Sequence, residues 1–79
     1  MKYLALFFTH SGAIKFERLL AKKNLKGRTM PVPRKLSSSC GVCNTFDCDS
    51  EHYEEFISDD VESFYRVDGK DYEELYRSE

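Results

Sequence analysis

The 79-residue sequence predicts one α+β domain, a ferredoxin-like βαββαβ sandwich. In that fold, two helices cover one face of a four-stranded antiparallel sheet. Three observations predict it. Apolar residues fall into strand-like runs and helix-like spacings in the order strand, helix, strand, strand, helix, strand. Right-handed, unknotted connections leave few topologies for that order, and the split β-α-β sandwich is the commonest. A chain this short buries only about 60% of its surface on folding, so the solution must be compact and regular.

Each element has its own signal. Lys2–Phe8 (KYLALFF) is an almost continuous apolar run, as a central strand requires. A helix over about Ser11–Asn24 follows. Ala13, Ile14, Phe16, Leu19, Leu20 and Ala21 share one side at helical spacing, with Lys15, Arg18 and Lys22 opposite. Thr9 or Ser11 caps its start, and Gly27 lies just beyond its end. Arg28–Val32 reads as an edge strand, because Pro31 cannot donate to a ladder. Arg34–Gly41 is a polar loop. Val42–Phe46 is a third strand whose alternation sends Cys43 and Thr45 away from Val42 and Phe46. Asp49 or Ser50 caps an acidic helix carrying Tyr53, Phe56, Ile57 and Val61. Glu62–Val67 is the fourth strand. The spacing of Tyr72, Leu75 and Tyr76 suggests a short terminal helix. The organisation expected is therefore a ferredoxin-like domain over 1–68 and a tail or short helix over 69–79.

Composition excludes several classes. The longest apolar run, Tyr3–Phe8, is far short of the roughly 20 residues of a membrane span and too short for a signal peptide. Three cysteines do not make a disulfide-stapled scaffold, so a reducing cytoplasm is the expected location. Net charge is −2 but unevenly spread. Residues 1–45 carry nine basic residues and one acid, whereas residues 46–79 carry three basic residues and thirteen acids. Such a split either steers an anionic partner or lets two halves of the domain attract one another. Nucleic acid is not an expected partner, because the aromatics take core-like spacings and the acidic half repels phosphate.

Chemistry concentrates in one segment. Cys40, Cys43 and Cys48 lie within nine residues, the first two as Cys40-Gly41-Val42-Cys43. A C-x-x-C can close a short disulfide and often lowers the first thiol's pKa. The loop before Cys40 holds Ser37, Ser38 and Ser39, whose N–H groups could form an anion-favouring nest. Arg34 and Lys35 are close enough in sequence to pair with a thiolate, and no acid lies between Glu17 and Asp47. These features make Cys40 the candidate nucleophile or carrier, with Arg34 and Cys43 as companions. A weaker reading gathers Cys40, Cys43, Cys48 and His52 around zinc, although the spacing lacks the paired knuckles of a zinc ribbon. The balance of the sequence calls for neither metal nor cofactor. His10 reads as a turn residue or an anion contact. The serines lack the acid–His partners of a hydrolase.

The string Thr9-His10, Glu17-Arg18-Leu19-Leu20 and Pro31-x-Pro33-Arg34-x-x-Ser37-Ser38-Ser39-Cys40-Gly41 resembles a small bacterial family described as putative selenium/sulfur carrier protein-like. The resemblance covers about Lys2–Val67. It implies a ferredoxin-like domain and singles out Cys40 with Arg34. The family usually has a small apolar residue where Cys43 stands, Cys48 is not in its motif, and the tail after Gly69 runs beyond it. The expected function is that of a carrier without turnover of its own, bearing sulfur or selenium on Cys40 between donor and acceptor proteins. The rivals are a non-catalytic interaction module and a dithiol redox protein using Cys40 and Cys43.

Overall fold

The computed structural model describes residues 1–49 and 51–78. Ser50, one of the two expected helix caps, lies outside them. Strand β1 (Lys2–Phe7) leads into helix α1 (His10–Lys22), then β2 (Gly27–Pro31) and β3 (Val42–Asp47). A 3₁₀ turn (Tyr53–Phe56), β4 (Val61–Asp68) and β5 (Asp71–Arg77) complete the described elements. The strands form one antiparallel sheet in the order β2-β3-β1-β4-β5.

This corrects the expected fold class. The described residues hold five strands and one α-helix, not the four strands and two helices of a ferredoxin-like βαββαβ sandwich. The acidic segment makes a four-residue 3₁₀ turn, and the chain is extended again at Ile57. Nucleating a short helix is costly, and Asp59 and Asp60 would place negative charge at its carboxyl end, where the dipole disfavours it. The segment 71–77 is a strand, not a helix. Its register slips between Phe64 and Tyr65, so Leu75 is an extra residue between the partners Tyr76 and Glu74. That bulge puts Leu75 and Tyr76 together against the helix-side core, while Tyr72 packs on the opposite face. A bulged strand thus reproduced the i, i+3, i+4 spacing of a helix.

Helix α1 begins at Thr9, whose Oγ1 accepts the Gly12 N–H at 3.1 Å. It ends in a Schellman arrangement at Asn24, whose φ is 60°. The Asn24 N–H reaches the Ala21 carbonyl at 3.1 Å and the Leu25 N–H reaches the Leu20 carbonyl at 2.8 Å. Asn24, not Gly27, supplies the left-handed residue. Ala13, Phe16 and Leu20 face the sheet, whereas Ile14 and Ala21, expected on the same side, are exposed.

The sheet buries both faces. Tyr3, Ala5, Phe7, Phe46 and Phe64 pack under α1 and the 3₁₀ turn, with Phe46 touching the rings of Tyr3, Phe16, Phe56 and Phe64. On the other face, Leu4, Leu6, Cys43 and Tyr65 are covered by Met30, Val32, Leu36, Val67 and Tyr72. The charge-split halves meet as well: Lys15 lies 3.9 Å from Asp60 and Lys23 3.0 Å from Glu55. No helix among the described residues is long and apolar enough to cross a membrane.

Candidate functional site

The loop from Val32 to Gly41 carries the candidate thiol. Its base is closed by the Val32 N–H donating to the Gly41 carbonyl at 3.3 Å, as in a compact Ω-type loop. Its first half lies over the second sheet face through Val32 and Leu36, and its last half returns to the helix side, where Cys40 packs. Gly41 then turns the chain into β3 at a φ of 77°, which a side chain disfavours.

Three side chains, those of Ser38, His10 and Glu62, fix the Cys40 end. Ser38 Oγ donates to the Phe7 carbonyl at 3.0 Å and accepts the Cys40 N–H at 3.3 Å. His10, the first residue of α1, contacts the Cys40 carbonyl through Nε2 at 2.9 Å. A carbonyl only accepts, so Nε2 carries the proton. Glu62 receives both the Ser39 N–H (3.0 Å) and the Ser39 hydroxyl (2.9 Å). The β4 bulge makes this reach possible: Leu6 pairs with Ser63 and Phe7 with Val61, leaving Glu62 as the extra residue.

The half-buried Cys40 thiol lies 3.4 Å from the Val42 carbonyl, which accepts its proton, and 3.6 Å from Ser38 Oγ. Ser38 Oγ is the hydroxyl nearest the sulfur, and its single proton is given to the Phe7 carbonyl. The N–H groups of Ser39 and Cys40, expected to face an anion, are instead taken by Glu62 and Ser38. Glu62 is the site residue that sequence reasoning missed, and it brings a carboxylate to a loop that has none nearby in sequence.

The other candidates sit elsewhere. Arg34 is exposed at the loop's first turn and, among the described residues, forms no hydrogen bond or ion pair with Cys40. It lines a groove with Pro33, Lys35, Gly69, Lys70 and Tyr72. Cys43 is fully buried on the opposite face from Cys40, with its thiol 3.7 Å from the Pro31 carbonyl. Burial, reinforced by the Cys40 charge, pushes its pKa up to about 11. Cys48 follows β3 at the other end of the strand, where its N–H donates to the Met1 carbonyl at 2.8 Å. All three cysteines are free. No group of three or more potential metal ligands gathers among the described residues, so Cys40, Cys43, Cys48 and His52 form no zinc-like cluster there.

A second groove, of about 260 Å³, runs between α1 and the β2–β3 edge. His10, Ala13, Ile14, Glu17, Thr29 and Val42 line it, and His10 and Val42 are also contacts of Cys40. The loop thus holds a half-exposed thiol beside a shallow, mostly apolar groove. The family model described as Putative Se/S carrier protein-like matches residues 2–77, and the chain belongs to that family. Searches of curated proteins and of solved structures gave no significant match.

Proposed function

We propose that the protein carries sulfur or selenium on Cys40 between a donor and an acceptor protein. One observation carries this reading: the buried member of the C-x-x-C is held protonated on one sheet face, while the other member is a half-exposed thiol on a loop fastened to three elements. Fixing the loop places the sulfur, and exposure lets a donor reach it.

The chemistry is thiol exchange without net oxidation. The Cys40 thiolate attacks the outer sulfur of a donor persulfide. A new S–S bond forms on Cys40, the donor's own S–S bond breaks, and the donor leaves as a thiolate. A donor perselenide delivers selenium in the same way. After the thiol proton leaves, the Ser38 hydroxyl can rotate from the Phe7 carbonyl to donate to the anionic sulfur, exchanging one bond for the other. Arg34 and Lys35, exposed on the same loop, act at longer range by steering anionic partners. The groove at His10 and Ile14, with the exposed Phe8 two residues before His10, provides the apolar part of the docking surface.

The dithiol alternative requires Cys40 and Cys43 to meet, yet they pack against opposite faces of the sheet. Mapping alkylated peptides after brief exposure to iodoacetamide at neutral pH tests the reading. Cys40 is expected to label first and Cys43 last. First labelling at Cys48 or Cys43 would remove the basis for carriage at Cys40.

A further inference from the structure

Arg34, Lys35 and Lys70 converge on one groove of about 310 Å³, with Pro33, Gly69 and Tyr72 completing its lining. No acidic residue lines it. None of the three cations joins an ion pair among the described residues. That is a notable arrangement in a chain of net charge −2 whose second half holds thirteen acids.

The cations are positioned rather than scattered. Lys35 Nζ donates to the Lys70 carbonyl at 3.1 Å, tying the loop turn to the β4–β5 turn across 35 residues of sequence. One of its three protons is used there, and the others remain for a ligand. Gly69, at a φ of 62°, makes the tight turn that puts Lys70 at the hairpin tip. Asp68 and Asp71 pair across the base of that hairpin, outside the groove lining. Tyr72 is half-buried against the second-face core, so its ring forms a supported wall, and Pro33 stiffens the other side. A guanidinium forks onto two oxygens of one anion, and ammonium groups add charge from the side. The apolar Pro33 and Tyr72 surfaces suit a planar organic group attached to that anion.

We infer that the groove between the Pro33–Lys35 turn and the β4–β5 turn is a binding site for a phosphate-class dianion, free or as a small phosphomonoester. The site is independent of Cys40 chemistry and stands whether or not Cys40 carries a chalcogen.

The test titrates the ¹⁵N-labelled full chain with inorganic phosphate and, separately, with adenosine monophosphate, using chloride to hold ionic strength constant. Saturable amide shifts are expected at Arg34, Lys35, Gly69, Lys70 and Tyr72. Arg34→Gln and Lys70→Gln, both exposed turn positions, are expected to weaken binding about tenfold each, with the sheet resonances unchanged. Arg18→Gln on the basic face of α1 and Cys40→Ser are expected to leave binding as it is. Tighter binding of the nucleotide assigns an organic phosphomonoester, and equal binding assigns the free oxyanion. Shifts that never saturate, that map to α1, that persist in both groove variants, or that fail to appear with either ligand overturn the site.

Discussion

Titrating Cys43 turns its burial into a stability change of known sign. The side chain is fully enclosed by the second-face core, and burial raises its thiol from the ordinary 9.0 to about 11. In the unfolded chain it titrates near the ordinary value. Below that pH both states keep the proton, and the contribution to stability is fully present. Between about 9 and 11 the unfolded chain has released a proton that the native state still holds. Rising pH therefore favours unfolding by about 1.4 kcal/mol per unit, or about 3 kcal/mol across the interval. Cys43→Ala removes this titration and leaves every other tyrosine, lysine and cysteine in place. Urea unfolding of both proteins under reducing conditions, from neutral pH to beyond 11, isolates the term. The wild type is expected to be the more stable at neutral pH, because its sulfur fills the site. That advantage is expected to shrink by about 3 kcal/mol at the alkaline end. A difference between the two curves that stays constant throughout would refute the water-excluded placement of Cys43.

Truncating Leu20 or Phe56 to Ala is expected to cost about 2–5 kcal/mol, because both are almost completely buried under the helix side of the sheet. Unchanged urea midpoints would show that this core is misplaced. Glu62→Gln should weaken the clasp on Ser39 by about 1 kcal/mol and speed hydrogen exchange at the Ser39 amide; unchanged exchange would contradict the bond. Gly41→Ala should cost about 1 kcal/mol through the left-handed backbone alone, since an added Cβ meets nothing within 4 Å. A neutral result would argue against that loop exit.

Legibility followed the range of the interactions. Helix α1 was readable because its cap at Thr9 and its apolar stripe lie within one local stretch. The central strand was readable because a strand covered on both faces is apolar at nearly every position. Strand β5 was not, because its bulge at Leu75 gives apolar residues the spacing of a helix turn. The acidic segment shows the opposite failure: Tyr53, Phe56, Ile57 and Val61 have helical spacing, but Val61 belongs to a strand. At the candidate site, Cys40 was singled out by its local motif alone. Glu62 was hidden because only the β4 bulge brings it to Ser39. Arg34 was assigned to the thiol by proximity in sequence, yet the intervening loop turns it toward Lys70's hairpin.

The central claim is that Cys40 accepts a chalcogen from a protein donor. Intact mass measured after incubation with a cysteine desulfurase and cysteine tests it most directly, with peptide mapping to place the adduct. The account predicts a gain of one sulfur on Cys40, removed by reductant, lost in Cys40→Ser and retained in Cys43→Ala. A Cys40→Ser protein that gains sulfur as readily as the wild type, or a wild type whose sulfur maps to Cys48, would contradict it.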